Sequence, residues 1–213
     1  MSTPLVKICG LTRAQDVEAA IAHGADFLGF IIACESPRAI SIGDAVELAR
    51  PASGLAKRVA VTVNATDDVL MQISTRMNPD FLQLHGDETP ARVRAIKAVT
   101  GLDIIKAVPV RTQDDLKTVH EYEGLVEYIL LDAKPSKNTA QRGGHGTAFD
   151  WTILQGFTPK TPYILAGGLN PANIKDALQN TDAKIFDVAS GVEARAGVKD
   201  HALIAQLMKA IHT

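Results

Sequence analysis

Short runs rich in aliphatic and β-branched residues recur along the chain at 5–9, 27–32, 57–63, 80–84, 102–107, 127–131, 163–166 and 185–189, and a helical pattern follows nearly every one. That alternation is the strongest constraint on the fold. A strand, a crossover and a further strand make parallel pairs joined by right-handed connections. Eight such units in 213 residues match the lower end of the (β/α)8 TIM barrel. The rival is an open doubly wound sheet, which more often uses fewer strands and one glycine-rich nucleotide turn. No Gly-x-Gly-x-x-Gly follows a strand here. The reading is therefore α/β, a single catalytic domain over 1–213 built as a closed barrel of eight parallel strands.

Helix signals agree with the alternation. Thr12 is placed to cap the first helix with Gln15 as its capping-box partner, and Val17, Ala20 and Ile21 then mark one face. Thr66 stands just before the apolar positions Val69, Leu70 and Ile73. Asn170-Pro171 reads as an N-cap followed by proline at the first helical position. Over 199–212, Leu203, Ile204, Leu207, Met208 and Ile211 fall on one stripe. The long irregular stretch is 132–148, "DAKPSKNTAQRGGHGTA", on the side where barrel enzymes keep their chemistry, and it reads as a lid or binding loop or as a solvated insertion.

Composition excludes several classes of protein. A net charge of -2 gives no nucleic-acid or membrane surface. The apolar run "FLGFIIAC" is too short to span a bilayer. Two cysteines, Cys9 and Cys34, make no disulfide framework, and the N-terminus lacks the basic and apolar regions of a secretory leader. The expectation is a cytoplasmic protein.

The stretch "VKICGLTRAQD" raises the chemical question. Side chains alternate across a strand, so Val6 and Ile8 share one face while Lys7 and Cys9 share the other. The outward face of a barrel packs on helices and takes the apolar pair, so Lys7 and Cys9 point into the barrel, Cys9 nearer its carboxyl end. An ammonium beside a thiol favours the thiolate, which makes Cys9 a candidate base or nucleophile; its bland alternative is an inert buried cysteine. Lys7 is expected to ion-pair with Asp187 on the adjoining eighth strand, and Asp187 either anchors Lys7 or orients a substrate.

Asp132 ends the run "YILLDAKP", where partial burial can make a carboxyl a general acid; its alternative is a turn-forming aspartate. "ILAGGLNPAN" and "FDVASGVE" close the seventh and eighth strands with glycine-bearing turns. Backbone amides at such turns form anion sites, and the loops after strands seven and eight of barrels frequently hold a phosphate. Gly167, Gly168, Ser190 and Gly191 are the candidates. In "FLQLHGDE", Gln83 and His85 share a face and either line a site or fill a polar interior layer. Arg38 of "ESPRAIS" is positioned to pair a substrate carboxylate bidentately, its alternative being a surface arginine. His23, His120, His201 and His212 fall in helical or surface patterns, and no His/Cys/Asp/Glu group has metal-ligand spacing.

Taken in order, "KICGLT", "GFIIACESPRAIS", "QLHGDE", "LLDAK", "GGHGTAFDW", "LAGGLNPAN" and "FDVASGVE" resemble the phosphoribosylanthranilate isomerase family from residue 6 to about 200. Two positions depart from the family pattern: His145 stands where a small hydroxyl residue is usual, and Glu35 where a basic residue is frequent. The resemblance implies an Amadori rearrangement in tryptophan biosynthesis, with Cys9 as general base and Asp132 as general acid. It extends the phosphate set to Gly144 and Gly146 and keeps Lys7, Arg38, Gln83, His85 and Asp187 as substrate-binding residues. Because the substrate supplies its own imine, no metal or organic cofactor is expected. The expected partner is a small-molecule phosphosugar, and the chain would be a monomer or a homodimer. The alternatives are another phosphosugar barrel enzyme, such as indole-glycerol-phosphate synthase or an epimerase, and a non-catalytic phosphometabolite-binding barrel.

Overall fold

The computed structural model describes residues 3–133 and 150–212. Its strands are β1 (Leu5–Cys9), β2 (Phe27–Ile32), β3 (Lys57–Thr62), β4 (Phe81–Leu84), β5 (Asp103–Val110), β6 (Tyr128–Ala133), β7 (Tyr163–Ala166) and β8 (Ile185–Val188). Each pairs in parallel with the next, and β1 bonds both β2 and β8, so the sheet closes into the expected barrel. Strand ends differ little from expectation, except that β5 runs on to Val110 and β6 to Ala133.

The outer layer contains α1 (Ala14–Ala22), α2 (Ile42–Ala49), α3 (Asp67–Gln72), α4 (Pro90–Thr100), α5 (Ile174–Asn180) and α6 (His201–His212). Short 3-10 segments at Gln113–Glu121 and Trp151–Leu154 follow β5 and β6. An antiparallel hairpin, Glu193–Arg195 with Val198–Lys199, lies between β8 and α6. Of the expected stripe on α6, Ile204, Leu207, Met208 and Ile211 are buried, and Leu203 is half-buried at its edge. Each such side chain contributes about 1.5–3 kcal/mol by leaving water.

Two helix starts differ from expectation. The N-cap of α1 is Arg13, with no side-chain cap, so the Thr12–Gln15 capping box does not form. Thr12 instead donates its hydroxyl proton to the carbonyl of Gly197 in the distant hairpin. Asn170 does accept the amides of Ala172 and Asn173, at 2.8 and 3.2 Å, but around a turn; α5 begins only at Ile174. Thr66, just before the apolar positions of α3, caps that helix by accepting from the amide of Val69.

Period-2 alternation sorts the barrel into two cores. Val6, Ile8, Leu28, Phe30, Leu82 and Ile104 face the helices. Cys9, Phe27, Val59, Val61, Phe81, Ile105, Ala107, Leu130, Ile164, Ala166 and Ile185 fill the interior. The interior is layered, with alternate strands contributing to alternate layers. At the amino end Phe27, Phe81 and Tyr128, from β2, β4 and β6, meet with ring centroids 5.6–6.3 Å apart. This aromatic floor lies below the polar residues. Lys7, Gln83 and Asp187 are buried higher up, and Asp132 stands near the carboxyl end of β6.

Candidate active site

Two hollows mark the barrel's ends. The one at the amino end, about 470 Å³, is bordered by the aromatic floor and by Leu55 and Lys57. The one at the carboxyl end, about 500 Å³, gathers Cys9, Arg38, Gln83, His85, Asp132, Gly167, Gly168, Asp187 and Ser190 on one wall system. Residues far apart in sequence converge here because seven of the eight strands, all but β5, bring an inward-facing residue to this cavity.

On β1, Lys7 lies directly opposite Asp187 of β8 in register. Both side chains point inward, and Lys7 Nζ sits 3.0 Å from Asp187 Oδ1. Lys7 is fully buried and lies beneath the cavity rather than on its wall, while Asp187 reaches the wall. Burial opposes the charge on Lys7, but Asp187 and then Cys9 favour it, and the net effect raises its proton affinity above the ordinary lysine value.

Cys9 faces inward and lines the cavity. Its neighbour across the ladder is Gly29 of β2. A Cβ there would stand 2.7 Å from Cys9 Sγ and 3.1 Å from Lys7 Nζ, so the missing side chain is the space that thiol and ammonium share. The expected activation of the thiol by Lys7 is present but outweighed. Burial pushes the Cys9 thiol up, Lys7 pulls it down, Asp187 pushes it up again, and the net direction is upward. Cys9 therefore holds its proton more tightly than a free thiol.

Asp132 stands near the end of β6 beside Ala166 of β7, whose small side chain leaves the carboxyl open to the cavity. Gln83 Nε2 lies 2.9 Å from His85 Nδ1, and His85 Nε2 lies 3.4 Å from Asp132 Oδ2. With the Gln83 amide donating to Nδ1, the ring proton resides on Nε2 and points at Asp132. Gln83, His85 and Asp132 thus form one chain of contacts. Among the described residues the buried Gln83 carbonyl oxygen has no hydrogen-bond partner.

Gly10 ends β1 with φ +75, a conformation that glycine adopts without strain, and a Cβ there would fall 2.6 Å from Arg38 Cδ. The stem of Arg38 therefore lies across the end of β1, which carries its guanidinium to the cavity rim. Arg38 is not a lone surface arginine: Glu193 Oε1 and Oε2 accept from its Nε and Nη2 at 2.8 and 2.7 Å. Gly167, Gly168 and Ser190 line the opposite side. The Gly168 carbonyl accepts from the side chains of Asn170 and Asn173, which fixes the turn after β7. Gly191 lies behind that wall, pressed against the Leu169 carbonyl so closely that no Cβ fits. Gly144, His145 and Gly146 lie outside the described residues.

Sequence reasoning missed Glu193, Lys199 and Asp16, all buried and charged. Local pattern carries no mark of their burial, because each also has a partner more than 150 residues away: Arg38 for Glu193, the Cys9 carbonyl for Lys199, and the Lys199 amide and His201 for Asp16. The four histidines set aside from the sequence include His201, whose ring meets Asp16 Oδ1 at 2.9 Å, outside the cavity. Among the described residues no group of three or more His, Cys, Asp or Glu could hold a metal, and no helix is long and apolar enough to cross a membrane.

Residues 6–210 match the family model described as N-(5'phosphoribosyl)anthranilate (PRA) isomerase. The chain is 48% identical over 206 residues to the N-(5'-phosphoribosyl)anthranilate isomerase of Rhizobium meliloti, covering 97% of this chain and 96% of that one. The phosphoribosyl anthranilate isomerase of Thermotoga maritima superposes with a TM-score of 0.88 at 33% identity, over 98% of both chains. A further solved isomerase, in complex with reduced 1-(o-carboxyphenylamino)-1-deoxyribulose 5-phosphate, gives a TM-score of 0.85 at 31% identity, again over 98% of both.

Proposed function

The chain belongs to the N-(5'-phosphoribosyl)anthranilate isomerase family, and we propose that Cys9 and Asp132 perform its two proton transfers. The enzyme is an isomerase of tryptophan biosynthesis. It converts the aminoaldose N-(5-phosphoribosyl)anthranilate to the aminoketose 1-(2-carboxyphenylamino)-1-deoxyribulose 5-phosphate by an Amadori rearrangement.

The reaction needs an acid and a base on one sugar. Protonation of the furanose oxygen opens the ring and leaves a Schiff base at C1′. That cation acidifies the C2′ hydrogen, which a base removes to give an enolamine, and the enolamine tautomerises to the ketone. In our reading Asp132 supplies the first proton and Cys9, as thiolate, takes the second. The observation that supports the assignment is that these two groups, from β1 and β6, line one cavity. The productive state has the proton on Asp132 and the charge on Cys9. Lys7 holds that charge from beneath, and its pairing with Asp187 keeps the ammonium in place.

The remaining residues bind. The turns at Gly167, Gly168, Ser190 and Gly191, extended by Gly144 and Gly146, receive the phosphate. Arg38 receives the anthranilate carboxylate. Gln83, His85 and Asp187, which line the cavity, meet the sugar hydroxyls. The barrel over 1–213 acts as one catalytic unit, with the cytoplasm as its compartment because its two thiols are free.

The test is turnover of phosphoribosylanthranilate, followed by its fluorescence. A positioned acid or base is worth ~10²–10⁴ in rate, so Cys9→Ala and Asp132→Asn should each lower kcat by that order while KM changes little. Near-normal turnover in either variant removes that residue from the mechanism.

A further inference from the structure

We infer that Glu193 is a positioning residue for substrate recognition: it holds the Arg38 guanidinium by one edge so that the other edge is presented to the substrate's aromatic carboxylate. This rests on the reading that Arg38 receives that carboxylate, and it adds what decides how Arg38 does so.

A guanidinium has five N–H donors arranged as two forks. Glu193 occupies the side fork, taking the protons on Nε and on one side of Nη2 at 2.8 and 2.7 Å. Among the described residues nothing bonds the end fork, Nη1 with the second proton of Nη2, which leaves it for an incoming carboxylate, and Arg38 lines the cavity with Cys9 and Asp187. Glu193 is itself held. Its side chain is 4% exposed, and its Oε1 also accepts from Lys199 Nζ at 2.9 Å. Lys199 is fully buried and spends its other two protons on the carbonyls of Cys9 and Ala189, at 2.6 and 3.0 Å. One ammonium therefore joins the end of β1, the exit of β8 and the carboxylate that grips Arg38. The direction of the Arg38 fork is thereby fixed relative to Cys9, the proposed base.

Charge leads to the same conclusion. Arg38 and Lys199 carry two positive charges and Glu193 one negative, so a single positive charge is left for the anionic ring substituent. Without Glu193 the guanidinium would turn freely among its rotamers, and ordering it would fall to the substrate.

The experiment compares N-(5-phosphoribosyl)anthranilate with N-(5-phosphoribosyl)aniline, which lacks the carboxylate, in the wild type, Arg38→Met, Glu193→Gln, Glu193→Asp and the Arg38→Met/Glu193→Gln double variant. Melting temperatures are recorded alongside. Glu193→Gln should raise KM for the anthranilate substrate roughly tenfold, the effect of misaligning one charge-assisted hydrogen bond, with kcat within a few-fold. On the aniline substrate it should match the wild type, and Glu193→Asp should fall between. The double variant should be no worse than Arg38→Met alone, because one interaction has been removed twice. If Glu193→Gln loses equally on both substrates, or adds to Arg38→Met, Glu193 serves the fold alone and the inference fails. If Glu193→Gln does not fold, Glu193→Asp decides by the same comparison of substrates. If Arg38→Met weakens both substrates equally, so that the wild-type preference for the carboxylated one survives, the carboxylate reading of Arg38 fails and takes this inference with it.

Discussion

Cys9 owes its place to a neighbour without a side chain. Opposite it in register stands Gly29, and the volume a Cβ would take there is shared by the thiol and the Lys7 ammonium. The same enclosure sets the thiol's chemistry. Burial raises its proton affinity more than Lys7 lowers it, and the Asp187 carboxylate adds to the rise. An alkylating reagent reads this directly, because only thiolate reacts. In a Cys34→Ala background, the rate of Cys9 modification by iodoacetamide should rise with pH along a curve displaced above that of a free thiol. Asp187→Asn removes a negative charge that repels the thiolate and frees Lys7 to serve sulfur alone, so the curve should move to lower pH. A curve that stays put or moves upward would show that Asp187 does not act on Cys9 through its charge.

At the scale of elements, the hairpin Glu193–Arg195 with Val198–Lys199 binds the barrel's last strand to its first loop. Asp16, fully buried on α1, accepts from Arg13 at 2.9 and 2.6 Å, from the Lys199 amide at 3.1 Å and meets His201 at 2.9 Å. Burial pushes the Asp16 carboxyl up, but the hydrogen bonds from Arg13, His201 and the Lys199 amide outweigh it and hold the group below the ordinary aspartate value of 3.8. Glu193 behaves alike: burial raises it, while Arg38 and Lys199 bring the net below the ordinary 4.5. A carboxyl lowered in the folded state stabilises fully above its unfolded pKa and loses that contribution as pH falls through the folded one. Melting temperature should therefore drop as the solution is acidified below about pH 4, and Asp16→Ala, about 3 kcal/mol less stable near neutrality, should show a shallower drop. Calorimetry from pH 3 to 7 checks both; an unchanged acid slope in the variant would exclude Asp16 as a contributor.

Across the whole molecule, the two ends of the barrel divide stability from chemistry. The amino end has an aromatic floor from alternate strands, and the carboxyl end gathers Cys9, His85, Asp132 and Asp187 around one cavity. Phe81 packs against both Phe27 and Tyr128, at 5.9 and 5.6 Å. Phe81→Ala should cost about 3–5 kcal/mol of stability through the cavity it leaves. Its kcat, measured well below the melting temperature, should stay within a few-fold of the parent, because the floor lies at the far end of the strands from Cys9 and Asp132. Urea unfolding and turnover on one preparation check the pair. A collapse of kcat at full folding would mean that the ends are coupled.

The chain alone determined the eight-strand barrel and the inward direction of Lys7, Cys9, Gln83 and Asp187, because strand period and helix patterning are local properties of neighbouring residues. It also placed Asp132 and the glycine turns at the rim, since each follows its strand directly. Three things were decided only by the tertiary structure. Thr12 gave up its cap because Gly197, 185 residues on, takes its hydroxyl. Cys9 binds its proton tightly because the closed barrel excludes water from it, and a neighbouring lysine in the sequence does not reveal that desolvation. The Arg38–Glu193–Lys199 unit spans 155 residues between Arg38 and Glu193, and Lys199 reaches the Cys9 carbonyl 190 residues back. Contacts over such separations exist only once the last strand has closed on the first, and so they leave no periodic trace in the order of the amino acids.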